Sequence, residues 1–381
     1  MVNGATFSDI DGDGWPDLVL AVSWGPLRVF HNDHGQFREV TRELGLEKFR
    51  GWWNGVTAGD FNGDGRIDLA ASNWGRNTKY ERHRFEPLKI YYGEWNGPGS
   101  VELLEGFADT ELHKVVPAKG FDTVRRALPW VQARFTTYEA YGRASVEEVL
   151  GDRFASSATL EANTLESMVL LNRGDHFEAI ALPNESQFAP AFGICAGDLD
   201  GDGNEDLFLA QNFYGVDNET CRYDAGRGLW LKGDGTGKFT AVPGQSSGIE
   251  VYGDQRGAAL ADYDGDGRTD LAIGQNGTTT KLYHNEKATP GLRVSLQGPV
   301  GNKRAIGAQI RLVYSSGSGP VREIHAGNGY WSQDDSTQVM GRKESPTKLW
   351  IRWPGGATNT YPLPEAVREV KVDPAGLLET K

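Results

Sequence analysis

The chain has 381 residues and a formal net charge of −13, with 38% hydrophobic and 24% charged residues. That length allows two or three domains with a substantial core, and the composition is typical of a folded chain rather than a disordered one. The acidic balance argues against nucleic acid or an anionic membrane as partner, and no apolar run approaches the ~18 residues of a transmembrane helix.

The first element along the chain is an acidic loop that recurs three times. DIDGDGWPDL begins at Asp9, DFNGDGRIDL at Asp60, DLDGDGNEDL at Asp198 and DYDGDGRTDL at Asp262. We name these segments the first, second, third and fourth acidic loops. They share acids at positions one, five and nine, Asp or Asn at position three, and glycine at positions four and six. Such agreement indicates an internal repeat.

The segments around the acidic loops repeat as well. Short apolar runs precede each loop and follow it, and a hairpin phrase such as VFHNDHGQF or VLLNRGDHF comes next. Each unit therefore predicts four antiparallel strands, and a period of about 40 to 65 residues is typical of β-propeller blades. We predict an all-β fold with a propeller over residues 1–287. The units begin near residues 4, 55, 90, 193 and 257, which predicts four or five blades.

A fifth phrase, EWNGPGSVEL, follows the same frame from Glu94 to Leu103. It keeps acids at positions one and nine and Asn96 at position three. Pro98 replaces the central Asp, so a carboxylate is lost and the turn is stiffened. We predict that this Glu94 loop (Glu94–Glu102) holds no ion.

Carboxylates at alternate positions of a loop converge on one point where glycines let the chain wrap. Ca²⁺ takes six to eight oxygen ligands, whereas Mg²⁺ prefers to keep several waters, so the pattern favours about four Ca²⁺ ions. Positions one, three, five and nine would supply side-chain oxygens and position seven a backbone carbonyl. The predicted ligands are Asp9, Asp11, Asp13, Trp15, Asp17, Asp60, Asn62, Asp64, Arg66, Asp68, Asp198, Asp200, Asp202, Asn204, Asp206, Asp262, Asp264, Asp266, Arg268 and Asp270.

An EF-hand does not fit these loops. That motif needs a Glu at position twelve between two helices. Position twelve is Leu20, Ala71, Leu209 and Ile273 in the four loops, and strand-like alternation follows each of them.

With their flanking strands, the four loops resemble FG-GAP/VCBS repeats, the propeller repeats also found in integrin α chains. The resemblance implies Ca²⁺ in the loop between the first two strands of a blade, on the same acidic positions. It also implies a scaffold for adhesion rather than a defined reaction.

Residues 107–155 interrupt the repeat. FDTVRRALPWVQARF and TTYEAYGRASVEEVLG have the apolar spacing of helices, with Thr136 or Thr137 as N-cap. We predict a two-helix insertion, either on the binding face or as a structural cap over one blade.

The last part of the chain predicts a second, small β domain over residues 288–381. LRVSL, AQIRLVY, KLWIRW and EVKV are strand-like with polar turns between them. The segments GLRVSLQGPVGNKRAIGAQIRLVY, VREIHAGNGYWSQDD and LWIRWPGG resemble the ASPIC/UnbV domain, which follows such repeats in bacterial secreted proteins and in cartilage acidic protein. We expect the aromatic-glycine turn at Gly327–Trp331 to pack against the propeller rather than to face a ligand.

Compartment and redox state follow from weaker signals. Cys195 and Cys221 could pair, but two unrelated buried thiols are favoured. The first residues, MVNGATFSDIDG, lack the pattern of a secretory signal and begin directly on a motif. We therefore hypothesise that the chain belongs to a longer protein with further blades and a signal peptide upstream. Calcium modules of about 10⁻⁴ to 10⁻³ M affinity suit a secreted, periplasmic or cell-surface location.

Two functions remain open at this point. The first is a monomeric, calcium-stabilised scaffold that binds a protein or glycan, with no catalysis of its own. The second is a calcium-dependent carbohydrate-active enzyme, a polysaccharide lyase or hydrolase, for which WGRNTKY and YERHRF could supply basic and aromatic groups. No G-x-S-x-G, H-E-x-x-H or P-loop phrase occurs, which favours the scaffold.

Overall fold

The structure is a computed structural model that describes residues 1–381, and its strands group into seven sheets. Strands account for 40% of the residues and helices for 10%. The predicted all-β class is therefore confirmed. No helix has the length and apolar character that crossing a membrane requires.

The first blade-like sheet carries the first acidic loop. Its strands are β1 (Val2–Ser8), β2 (Asp17–Gly25), β3 (Arg28–Asp33) and β4 (Gln36–Glu39), paired in chain order, with β5 (Gly51–Trp52) added to β2. Burial alternates along the first part of β2, as the apolar alternation predicts, and Val19 and Ala21 are fully buried.

The second blade-like sheet is split in sequence. It begins with β6 (Gly55–Gly59) and β7 (Asp68–Ser72) and is completed far downstream by β12 (Met168–Asn172) and β13 (Phe177–Ala181). Every residue of β6 and β7 is buried, because sheets pack on both of their faces.

The segment between β7 and β12 forms a sheet of its own. Its strands are β8 (Leu88–Gly93), β9 (Glu102–Asp109), β10 (Lys114–Pro117) and β11 (Ala158–Ala162), ordered β10-β9-β8-β11. The insertion is therefore longer than the predicted 107–155. The Glu94 loop joins β8 to β9 inside it, so the repeat that begins near residue 90 does not form a blade.

The predicted pair of helices is wrong, because four short helices occupy that stretch. They are α1 (Phe121–Ala127), α2 (Val131–Arg134), α3 (Tyr138–Gly142) and α4 (Val146–Leu150). Pro129 lacks an N–H and ends the first predicted helix early. Ser145 starts a new helix by forming a capping box with Glu148, while Thr137 caps α3 as expected.

Two further blade-like sheets follow in chain order. The third contains β14 (Ala191–Gly197), β15 (Asp206–Gln211), β16 (Leu229–Gly233) and β17 (Phe239–Val242); after α5 (Gly244–Ser247), the fourth contains β18 (Asp254–Ala261), β19 (Asp270–Asn276) and β20 (Lys281–Tyr283). First strands lie side by side: β1 packs against β6, β6 against β14, and β14 against β18. This is the arrangement of propeller blades.

The C-terminal segment forms two sheets that share one core. One is ordered β24-β21-β27-β28 and the other β23-β22-β25-β26. The strands are β21 (Leu292–Leu296), β22 (Gln309–Val313), β23 (Arg322–Glu323), β24 (Gln338–Met340), β25 (Lys348–Arg352), β26 (Thr358–Pro362), β27 (Glu369–Asp373) and β28 (Gly376–Thr380).

A segment of this C-terminal part, residues 326–335, runs along the first strands of the blade-like sheets. Ala326 bridges to Phe7 of β1, and Gly329 bridges to Val56 of β6. Gly329 has φ +55°, and a Cβ there would lie 2.5 Å from the Ile194 carbonyl oxygen, so only glycine fits. The expectation that the aromatic-glycine turn packs against the propeller is confirmed for Gly327–Tyr330, whereas Trp331 is 85% exposed.

Candidate metal centres

Each acidic loop joins the first two strands of a blade-like sheet, and none lies between helices. The glycines at positions four and six all have φ between +71° and +94°. L-residues with a Cβ rarely adopt that backbone conformation, which lets the loop reverse sharply. The rejection of an EF-hand is confirmed.

The aspartates at positions one and nine stabilise the loop by accepting hydrogen bonds from backbone N–H groups. At position one, the carboxylate accepts the N–H of the sixth-position glycine, as Asp9 does from Gly14 at 3.0 Å. At position nine it accepts the N–H of the second residue and one from the third strand or just beyond its end, as Asp17 does from Ile10 and Asn32. The other three loops repeat these bonds.

Hydrogen bonds from backbone N–H groups to side chains link positions three, five and seven. In every loop, the fifth residue donates its N–H to the third side chain, and the seventh donates its N–H to the fifth. The seventh-position residues Trp15, Arg66, Asn204 and Arg268 therefore lie at one place in a common frame, although their side chains differ.

Carboxylate oxygens converge in three of the four loops. Three such oxygens lie within 4.8 Å of one another in the groups Asp9–Asp11–Asp13, Asp198–Asp200–Asp206 and Asp262–Asp264–Asp266. An all-oxygen set of this kind is the chemistry that Ca²⁺ prefers. In the second loop, Asn62 replaces one acid, and its side chain lies with Asp60 and Asp64 through the same backbone bonds. The donor sets therefore fit a hard cation.

Burial disfavours the ionised form of the aspartates at positions one and nine. Asp68 and Asp206 are fully buried, and burial raises the pKa of Asp68 to about 7 and that of Asp206 to about 8. Burial likewise raises the pKa of Asp17 and Asp198 to about 6. A cation beside these groups would offset that cost.

The sequence did not reveal that the C-terminal domain brings arginines to the loops. Arg352 pairs with the buried Asp9, and Arg293 Nε lies 2.8 Å from Asp262. Arg311 lies 4.0 Å from Asp60. At the third loop, Arg322 pairs with the buried Glu205 at 2.6 Å. A guanidinium therefore lies near the first-position acid in three loops and pairs with the eighth-position Glu205 in the third, and these arginines have no recognisable link to the repeat.

Histidine and lysine side chains on the third strands were also missed. His31 Nδ1 lies 3.0 Å from Asp11 and 3.1 Å from Asp17. His284 takes the equivalent place near Asp264 and Asp270. Lys232 does so in the third loop, where it contacts Asp200 and Asp202. Aligning VFHND with LYHNE could have found the histidines, because each precedes the asparagine that binds the ninth acid.

The Glu94 loop keeps only part of this frame. Glu102 accepts the N–H of Trp95 and of Asn96, as a ninth-position acid does. Glu94 is exposed, and its carboxylate accepts no hydrogen bond. The Asn96 side chain donates to the Ala127 carbonyl and accepts from Trp130 Nε1. That loop therefore anchors the helices of the insertion.

Both cysteines are free thiols, so the prediction that they do not pair is confirmed. Cys195 is buried as predicted, whereas Cys221 is exposed, so the predicted burial of both thiols is wrong for Cys221.

Two parts of the chain match known families. Residues 9–71 match an FG-GAP-like repeat and residues 298–377 match the ASPIC and UnbV domain, which confirms both resemblances for those segments. Among curated proteins, the chain is similar to cartilage acidic protein 1 of Xenopus tropicalis, with 21% identity over 347 residues that cover 90% of this chain. The Homo sapiens protein is 24% identical over 302 residues, or 74% of this chain. The chain spans 40% of the length of each of these relatives.

Among solved structures, rhamnogalacturonan lyase YesW is similar at 13% identity over 95% of this chain and 71% of that chain. The TM-score is 0.24, which is too low for a conclusion about fold or function.

Proposed function

We propose that this protein is an exported scaffold in which about four Ca²⁺ ions stabilise the propeller blades, and that it binds a protein or glycan ligand without catalysis of its own. The observation that carries the proposal is the hydrogen-bond frame shared by the four acidic loops, which presents oxygens at the same positions each time. A structure repeated four times favours a role in stability over a role in one reaction.

The residues that would hold each ion are the acids and Asn62 at positions one, three, five and nine, with the seventh-position carbonyl. Calcium would supply positive charge to carboxylates that burial otherwise leaves costly to ionise. Arg352 and Arg293 would offset part of the charge of the first-position acids Asp9 and Asp262, and the ion would offset the charge that remains on the loop.

The proposed export rests on the calcium affinity that is typical of such loops. Loops that bind at about 10⁻⁴ to 10⁻³ M would be empty in a cytosol with little free calcium and filled outside the cell. At a tenfold excess over the dissociation constant, one site adds about 1.4 kcal/mol, and four add about 6 kcal/mol. That sum is comparable with the whole stability of a typical domain.

The second candidate function is a calcium-dependent carbohydrate-active enzyme. The observation in its favour is Lys79, which lies in a pocket with Tyr80 and whose pKa is lowered by burial and by Lys119. A lysine with a lowered pKa can act as a base.

Two assays in millimolar calcium distinguish these functions. One is a binding array of glycans and proteins, and the other measures turnover of uronic-acid polysaccharides. The scaffold predicts calcium-dependent capture of a ligand and no new chain ends in any polysaccharide. Steady release of shortened or unsaturated products that stops after Lys79→Gln would establish the enzyme instead.

A further inference from the structure

An aromatic pocket lies at the end of the blade-like sheets opposite the acidic loops. The acidic loops precede β7 and β15, whereas Trp74 and Phe213 follow these strands. We define the aromatic pocket by Trp52, Trp74, Tyr80, Phe213 and Tyr223, which line a cavity of about 190 Å³. That volume is below the ~300 Å³ of the smallest usual drug-sized sites, so it suits one small ring.

The aromatic side chains form a continuous wall. The ring centroid of Trp74 lies 5.6 Å from that of Trp52, 5.2 Å from Phe213 and 5.9 Å from Tyr223. Trp52 and Tyr80 are buried, whereas Trp74, Phe213 and Tyr223 are half-buried and offer surface to the cavity. Flat aromatic surfaces of this kind suit the apolar C–H face of a sugar ring.

Polar groups complete the pocket. Tyr80 donates to Glu105, and Lys119 pairs with Asp217, so these four groups have partners within the protein. Trp74 Nε1 is buried and has no acceptor. It is a hydrogen-bond donor that a ligand hydroxyl could satisfy.

Lys79 is the charged group of the pocket that pairs with no carboxylate. Its ammonium lies 5.1 Å from the centre of the Tyr80 ring and forms no ion pair, and burial together with Lys119 lowers its pKa. Two lysines beside the rings disfavour the methylammonium ligands that aromatic cages otherwise bind, although Glu105 and Asp217 lie in the same pocket. A carboxylate would give Lys79 a charge-assisted hydrogen bond.

We propose that the aromatic pocket binds a hexuronic acid unit of a glycan, with the sugar ring against Trp74 and Phe213 and its carboxylate on Lys79. This inference rests on the glycan-binding form of the proposed function. The WGRNTKY segment supplies both Trp74 and Lys79 and forms one wall of the site.

The test is isothermal titration calorimetry on the full chain in millimolar calcium. The probes are oligomers of galacturonate, glucuronate and mannuronate, each beside its uncharged methyl ester. We expect at least one acid to bind about tenfold or more tightly than its ester. Lys79→Gln should remove that preference, while the matched control Lys303→Gln, on the exposed surface of the C-terminal domain, keeps it. Phe213→Ala should weaken the acid and the ester alike.

The outcomes distinguish failure of the pocket assignment from failure of the proposed scaffold function. If an acid binds wild type, Lys79→Gln and Phe213→Ala equally, the pocket assignment is overturned and glycan binding elsewhere stands. If an ester binds as tightly as its acid, the role of Lys79 is overturned. If wild type binds none of the probes, the pocket assignment is overturned, and capture of a protein ligand then decides whether the scaffold function survives. Melting curves in calcium verify that every variant is folded.

Discussion

The four acidic loops and the Glu94 loop share one sequence frame but differ in what the fold does with it. In the acidic loops, the first-position acid is buried and accepts the N–H of the sixth-position glycine, as Asp9 does from Gly14. In the Glu94 loop, the first acid points to solvent, and Asn96 is engaged by the helices of the insertion. Glu102 keeps part of the ninth-position role, because it accepts the N–H of the second residue, Trp95.

The comparison shows that the same motif can fold into loops with different contacts. In the acidic loops, a backbone N–H from beyond the second strand reaches the ninth acid, as that of Asn32 reaches Asp17, and an arginine lies beside the loop, as Arg352 lies beside Asp9. The Glu94 loop has neither, because it lies in the inserted sheet, away from the C-terminal domain.

The largest expected effect is that of removing calcium, which acts on the four acidic loops and spares the Glu94 loop. Chelation with EDTA should lower stability by about 6 kcal/mol and the melting temperature by on the order of ten degrees. Differential scanning calorimetry measures it. Restoration by calcium but not by equal magnesium is the control, and an unchanged melting temperature contradicts the proposed role.

Arg352→Met should have the next largest effect, since it leaves the buried Asp9 without its partner. Breaking one side of a buried ion pair costs about 3 kcal/mol or more. Chemical denaturation measures the loss. Arg42→Met is the matched control, because Arg42 is 88% exposed in its contact with Glu47 and should change little. Equal effects would mean that the guanidinium does not support the loop.

The stability of the metal-free protein should depend on pH through the buried ninth-position aspartates. The folded-state pKa values of Asp68 and Asp206, about 7 and 8, exceed the unfolded value near 4. The folded state then binds more protons between these values, so stability falls as pH rises from 5 to 8, by on the order of 6 kcal/mol for the two groups together.

Thermal melts of calcium-stripped protein at several pH values measure this slope. Asp206→Asn should flatten it, and added calcium should remove it because the ion favours the ionised acids. A stability that rises steadily from pH 5 to pH 8 without metal would contradict the account.

A direct contrast between the two kinds of loop comes from Asp13→Asn, at the fifth position that is Asp in all four acidic loops, and Glu94→Gln. The first should remove one ion and about 1.4 kcal/mol of calcium-dependent stability, whereas the second should remove neither. Equilibrium dialysis counts the ions. A loss of calcium on Glu94→Gln would place an ion in the loop that we expect to be empty.

The smallest expected effect concerns the third loop, where Lys232 contacts Asp200 and Asp202. Lys232→Met should tighten calcium binding there a few-fold, because an ammonium competes with the ion. Calcium titration followed by calorimetry measures the change. The exposed Lys238→Met serves as control, and weaker binding after Lys232→Met would show that the lysine supports the loop instead.

The parts of the fold that were predictable from sequence are those set by neighbouring residues. Alternating acids with glycines at positions four and six determine the shape of each loop locally, so the loops and their flanking strands could be recognised. The pairing of β7 with β12, across about 100 residues, could not be predicted, because the inserted segment between them contains other strands that could equally have been expected to pair with β7.

The contacts that surround the site were equally hidden. Arg352 reaches Asp9 across 343 residues, and the aromatic pocket draws Trp74 and Phe213 from different sheets. No periodicity links such residues. Only the docking of the C-terminal domain and of the insertion brings them together.

The central claim is tested most directly by a crystal structure of the protein grown in millimolar calcium, with anomalous scattering used to locate the ions. The account predicts one ion in each acidic loop, bound by the first-, third-, fifth- and ninth-position side chains and the seventh-position carbonyl, and none at Glu94–Glu102. Acidic loops without ions at saturating calcium would contradict it.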